Sequence, residues 1–373
     1  MLGLRYINRV GRAKEDRHQV QKKARAKKPN SAQIAQLAGV SRSTVSRVIN
    51  GYANVNAQTR RRVMEVIKQY GYYPSMSGQV LAGKRVKCLG LFWVANGLIA
   101  QDCLSSFFMA TTIESAARRG YLVLTCIVPN LREAAWMEHV KGIFYQGRID
   151  AGIFVGCNNQ EPLIEQLIDD GMVLGLFDHF VAGKEENNRF MINFEADTGE
   201  RAVDYLVSLG HRRVAVIDGD LNRLSSLQRH EGFLRGLRKN GVELRSQWLW
   251  GGSGPAFITK AGGYQAAKAI FGLPGDRPTA ICCNNDAAAL GVYRAAAEEG
   301  IAIGRELSVL GIDGDAGGLA VTPQLTSFQF SFDKMFDSLV DRLIRCLEGE
   351  EDVPRLDVGT SCLVERGSCL PAS

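Results

Sequence analysis

Between Asn30 and Thr59 the chain sets short hydroxyl and amide side chains among arginines: Asn30, Ser41, Arg42, Ser43, Thr44, Ser46, Arg47, Asn50 and Thr59. The planar fork of arginine bonds guanine O6 and N7 together in the major groove, whereas serine, threonine and asparagine suit phosphate oxygens or helix caps. This is the chemistry of a surface that grips a polyanion and reads it. A second set lies far downstream. Asp178, Asp218 and Asp313 each close a short apolar run, Asn284, Asn285 and Asp286 follow another, and Arg229 stands early in a stretch of helical spacing. A guanidinium among carboxylates and amides suits vicinal hydroxyls, and Trp93 and Phe108 offer faces for a sugar ring.

The first set needs helices to present it. Asn30 and Gln33 have the spacing of a capping box, and Ile34, Leu37 and Ala38 then fall on one apolar face. Gly39 ends that helix and Ser41 caps the next, on which Val45, Val48 and Ile49 point inward and Arg42, Ser43, Ser46 and Arg47 outward. A third amphipathic helix carries Val63, Val66, Ile67 and Tyr70 and is opened by Asn56 and Thr59. Small Ala35 lets the first two helices cross closely around a glycine turn, as a helix-turn-helix requires. On this reading Arg42, Ser43 and Arg47 contact bases, while Asn30, Ser41, Thr44, Ser46, Asn50 and Thr59 contact phosphates or act as caps.

Charge supports the same division. Residues 1–87 hold 19 Lys and Arg against Glu15, Asp16 and Glu65, a balance of +16; the whole chain carries +6, so the remainder carries 6 − 16 = −10. A basic end on an acidic body suggests that only the end meets a polyanion. Residues 1–28 are expected to be a basic, disordered tail, 29–74 the DNA-binding helices, 75–87 a linker and 88–373 the body. No run approaches the roughly 18 apolar residues that cross a bilayer, and the N-terminus lacks a signal-peptide pattern, so a cytoplasmic place is expected. The nine cysteines show no C-x-x-C pair and no zinc spacing; reduced, mostly buried thiols are expected, with neither metal nor cofactor.

The body reads as repeated strand and helix units. CLGLFWV (88–94), YLVLTCIV (121–128), AGIFVG (151–156), VLGLF (173–177), RFMIN (189–193), RRVAVID (212–218), AICC (280–283) and LSVLGID (307–313) have the composition of strands buried on both faces, and stretches of helical spacing separate most of them. Two doubly wound, parallel-sheet α/β lobes follow, the first expected over about 88–190 and 324–346, the second over about 191–323 and 347–370. Such sheets bind ligands beyond the carboxyl ends of their strands, so the cleft between the lobes is the expected pocket.

The run IAQLAGVSRSTVSRVINGYANVNAQTRRRVMEVIKQYGYYPS (34–75) resembles the headpiece of the lactose and galactose repressor family, and YLVSLGHRRVAVI, RHEGFLRGL, CNNDAAALGVYRAAAEEGI and LSVLGID resemble that family's sensor in order and spacing. The resemblance implies an all-α helix-turn-helix headpiece joined to a periplasmic-binding-protein-like sensor. It implies a homodimeric repressor on a pseudo-palindromic double-stranded operator, controlled by a small effector of carbohydrate type, with no membrane and no catalysis. It places Arg229 and Asp313 at effector-holding positions, beside Trp93, Phe108, Asp178, Asn285 and Asp286. It also implies a hinge helix reading N-x-x-A-R-x-L, for which this chain has Ser75, Gly78, Gln79 and Leu81. The leucine is kept, while glycine weakens the helix by about 0.5–1 kcal/mol. A transport-type sugar receptor would lack the headpiece, and an α/β enzyme would show a G-x-S-x-G, Walker or G-x-G-x-x-G signature that this sequence does not have.

Overall fold

The computed structural model describes residues 29–74, 84–95, 103–179, 189–252, 254 and 258–372. They belong to two compact units, Met1–Arg85 and Val86–Ser373. The basic tail 1–28 and the hinge segment with Gly78 and Leu81 lie outside the described residues.

In the first unit, α1 (Ser31–Leu37), α2 (Arg42–Ile49) and α3 (Ala57–Tyr70) close around Ile34, Ala35, Ala38, Val45, Val48 and Val63. The capping box forms: Asn30 Oδ1 accepts from the amides of Ala32 and Gln33, and Gln33 Oε1 accepts from the amide of Asn30. Gly39, at φ 63°, supplies the left-handed turn between α1 and α2. Two expectations are corrected. Leu37 is exposed while Ala35 is buried, because at roughly 100° per residue the inward face centres on Ile34, Ala35 and Ala38 and leaves Leu37 at its edge. Tyr70 is likewise exposed, and Asn56 alone caps α3, with Thr59 inside its first turn.

The second unit runs β1 (Cys88–Val94), α4 (Cys103–Arg118), β2 (Leu122–Val128), α5 (Ala134–Tyr145), β3 (Ala151–Val155), α6 (Pro162–Asp169), β4 (Leu174–Phe177), β5 (Arg189–Phe194), α7 (Thr198–Ser208), β6 (Val214–Asp220), α8 (Leu224–Lys239), β7 (Leu249–Gly252), α9 (Lys260–Phe271), β8 (Ala280–Cys283), α10 (Asp286–Glu298), β9 (Ser308–Asp313), β10 (Thr326–Phe330), α11 (Phe332–Leu347), β11 (Leu356–Gly359) and β12 (Ser361–Val364). Two six-stranded sheets result, in the orders β11-β5-β4-β3-β1-β2 and β12-β10-β9-β8-β6-β7. Every pairing is parallel except that of β12 with β10. Period-two alternation explains why β1 is apolar throughout: Leu89, Leu91 and Trp93 enter one core cluster, Cys88 and Phe92 the other.

The lobe borders differ from expectation. β5 pairs with β4 through Ile192 and with β11 through Phe194, so residues 191–194 belong to the first lobe. β10 continues the second sheet beside β9, so residues 326–330 belong to the second, and β11 pairs with β5 in the first. The chain thus crosses between sheets after β5, after β10 and between β11 and β12. Sequence periodicity cannot show which sheet a strand joins, because hydrogen-bonding partners decide it. At the crossings Phe194, Phe330 and Phe332 pack together, with ring centroids 4.8, 5.8 and 6.1 Å apart.

Candidate functional site

On the headpiece, Ser41 caps α2 by accepting the Thr44 amide at 3.1 Å, and its hydroxyl also bonds those of Ser43 and Thr44. Behind that cap Arg42, Ser43, Ser46 and Arg47 are exposed, while Val45 and Val48 are buried on the opposite face. Asn50 donates to Ser46 Oγ at 3.3 Å. Asn30 is engaged as a cap, and Thr59 is half-buried. The helix therefore presents two guanidinium groups and two hydroxyls on one rigid outer face.

In the second unit a cavity of about 520 Å³ opens between the sheets, at the carboxyl ends of β1, β3, β4 and β9 and the start of α8. Trp93, Phe108, Asp178, Arg229, Asn285 and Asp313 all line it. Arg229 is 5% exposed; its Nη1 donates to the Asn284 carbonyl at 2.7 Å and its Nη2 to Asp313 Oδ1 at 3.1 Å. Its guanidinium lies 5.2 and 5.8 Å from the ring centres of Phe194 and Phe330, the residues of the crossings. Burial pushes the Asp313 carboxyl up to about 7, against the opposing pull of Arg229.

Asp178 comes from the first lobe and bonds the second. Its Oδ1 accepts the Ser225 amide at 2.7 Å and its Oδ2 the Ser225 hydroxyl at 2.6 Å. Burial raises its carboxyl too, with Ser225 counteracting. Two further ties cross the same way: Arg223 Nη2 donates to the Gly156 carbonyl at 3.1 Å, and the Asn159 amide to the Asn222 carbonyl at 2.9 Å. Asp178 at φ 56° and Asp313 at φ 124° are two of three non-glycine residues with positive φ among those described, and both line the cavity at strand ends. Backbone strain of this kind collects at ligand sites.

Asp286 does not line the cavity. It is buried beneath it, Oδ1 accepting from Ser327 Oγ at 2.7 Å and Oδ2 from the Asp315 amide at 2.6 Å, so it braces α10 against the turn after β9. Burial pushes it up to about 6. Asn285 combines two roles, for its Oδ1 caps α10 through the Ala288 amide at 2.8 Å while the residue faces the cavity. Trp93 and Phe108 are core residues with one edge on the cavity, their rings 6.0 Å apart. Sequence reasoning missed Ser225, Ser226, Arg223 and Lys260 on the cavity wall. The available signal was their place just before or within the first turn of a helix that follows a strand. Asp218 pairs instead with His230 Nδ1 at 2.7 Å, away from the wall. Among the described residues no group of three or more His, Cys, Asp or Glu stands together as metal ligands, and no helix is long and apolar enough to cross a membrane.

A helix-turn-helix with a charged outer face, followed by a two-lobed α/β body with a ligand-sized cleft, defines the class of two-part DNA-binding regulators. Comparison with known proteins gives the family. Residues 32–75 match bacterial regulatory proteins of the lacI family, and 203–369 match the periplasmic binding protein-like domain. The chain is 28% identical over 349 residues to the HTH-type transcriptional regulator AglR of Rhizobium meliloti (strain 1021), covering 92% of this chain and 95% of that one. It is 30% identical to the HTH-type transcriptional repressor PurR of Erwinia tasmaniensis, covering 83% and 89%. Its fold resembles the lac repressor dimer bound to operator and the anti-inducer ONPF, with a TM-score of 0.77 and 26% identity over 92% of this chain and all of that one. The chain belongs to the lacI family and is an effector-controlled, DNA-binding transcriptional regulator.

Proposed function

We propose that this regulator is a cytoplasmic, homodimeric repressor that binds a pseudo-palindromic operator and responds to a sugar or sugar derivative held between its lobes. Arg42, Ser43 and Arg47 read base edges, and Asn30, Ser41, Thr44, Ser46, Asn50 and Thr59 position the headpiece on phosphates. Residues 29–74 are the reading unit, 75–87 a hinge with Leu81 as its minor-groove wedge, and 88–373 the sensor. The sensor works by binding, not turnover. The observation that carries the reading is the Arg229–Asp313 pair facing a cavity whose opposite wall supplies Asp178. A ligand there touches both lobes, and differential binding to two lobe orientations is what couples an effector to DNA. One solved relative, the lac repressor, is a dimer bound to operator and an anti-inducer. In this chain the outer strand β2 exposes Leu122 and Ile127, one on each face of the sheet edge. Operator binding measured by mobility shift, with and without a panel of sugars, tests the proposal: operator affinity changes with one sugar class. Operator binding indifferent to every sugar contradicts it.

A further inference from the structure

The cleft wall also indicates what kind of sugar derivative it takes. Its carboxylates are already engaged: both oxygens of Asp178 bond Ser225, Asp313 bonds Arg229, and Asp315 Oδ1 accepts the Gly317 amide at 2.6 Å. Its donors are not. Among the described residues, the buried side-chain atoms of the cavity wall that lack a hydrogen-bond partner are all N–H groups: Arg223 Nε, Arg229 Nε and Asn284 Nδ2. Asn284 is 2% exposed, and its amide nitrogen makes no hydrogen bond. Unpartnered buried acceptors do occur, in Asn159, Glu161, Asp218 and Gln228, but none of these residues lines the cavity.

Charge points the same way. Arg223 and Lys260 line the cavity, and neither makes an ion pair among the described residues. Arg223 is held in place across the cleft by its bond to the Gly156 carbonyl. Lys260 opens α9, a twelve-residue helix whose first turn, with Ala261, faces the cavity and is capped by Thr259. Aligned amide dipoles add positive potential there. A neutral sugar offers hydroxyls that both donate and accept, so it does not single out a wall rich in donors. A phosphate or carboxylate only accepts, and satisfies orphaned donors with charge-assisted bonds.

Resting on the reading of the cleft as the effector site, we propose that the effector is an anionic sugar derivative, its phosphate or carboxylate held by Arg223, Lys260 and Asn284. The test titrates the full chain calorimetrically with glucose, galactose and maltose, each beside its 6-phosphate ester and its aldonate, with inorganic phosphate as a separate arm. At least one anionic member should bind about tenfold or more tighter than its neutral parent. Arg223→Gln and Lys260→Gln should each lower the affinity of the anionic member by more than that of its parent, erasing most of that advantage. Inorganic phosphate should bind far more weakly than the ester; equal binding would make the free anion, not a sugar, the ligand. A neutral parent that binds as tightly as its anionic forms, unaffected by either variant, overturns the anionic class and leaves the sugar-sensing cleft standing. No binding by any sugar overturns both.

Discussion

Asp178 holds Ser225 by two bonds, one to its amide at 2.7 Å and one to its hydroxyl at 2.6 Å, and the two residues stand on different sheets' lobes. One carboxylate thus does three things at once. It faces the cavity, it satisfies an N-terminal amide of α8, and it ties the lobes at the level of that cavity. Asp178→Asn keeps the tolerance for its left-handed backbone but loses charge and one acceptor. Amide exchange in the first turn of α8 should speed up about tenfold, and Ser225→Ala should have a smaller effect because the amide bond survives. Unchanged protection in Asp178→Asn would mean that this contact does not hold the lobes.

The Arg229–Asp313 pair makes stability depend on pH in a defined direction. Burial lifts the Asp313 carboxyl from 3.8 to about 7, and Asp218 and Asp286 to about 6. A carboxyl that keeps its proton longer when folded favours the folded state most below the unfolded pKa, and the benefit disappears as pH rises through the folded pKa. Resistance of the sensor to urea should therefore fall between about pH 4 and pH 7. Asp313→Asn should flatten that slope while lowering stability by about 1–3 kcal/mol, since Arg229 loses its counter-charge. A slope identical to wild type would show that Asp313 titrates normally.

Much of this architecture was legible in the sequence, for local reasons. Asn30, Gly39 and Ser41 mark helix ends by chemistry that needs no distant partner, and runs such as CLGLFWV reveal buried strands by composition. β7, β11 and β12 were not legible, being four-residue strands whose identity rests on pairing. The same reason hid the lobe of β10. In the site, Arg229 and Asp313 were anticipated, whereas Asp286 was placed on the wall because an acid after a strand looks the same whether it faces a ligand or braces Ser327. Arg223, Lys260 and Asn284 come from three separate connections, and only folding brings them to one cavity.

The exposed face of α2 predicts how readout fails. Arg42→Ala or Arg47→Ala should lower affinity for the operator by about 1–3 kcal/mol and relax preference at particular base pairs, measured by anisotropy on an operator library. Equal losses on operator and random DNA would assign these arginines to phosphates.

The hinge carries a prediction from sequence alone. Glycine at position 78 lowers helix propensity, so Gly78→Ala should tighten operator binding by up to about 1 kcal/mol per subunit and blunt the effector response, because the same ligand must overcome a larger bias. Leu81→Ala should reduce DNA bending and specific affinity while leaving non-specific binding unchanged. A Gly78→Ala protein identical to wild type in both affinity and switching would show the segment to be a passive linker.

The central claim is that a ligand in the cleft controls DNA binding through Arg229. The most direct measurement is operator affinity by fluorescence anisotropy, with and without the effector that calorimetry identifies, in wild type and Arg229→Ala. Wild type should shift its operator affinity at least tenfold with effector, whereas Arg229→Ala should bind the operator with or without effector at a single affinity and give no calorimetric signal. An Arg229→Ala protein that still binds effector and still switches would contradict the account.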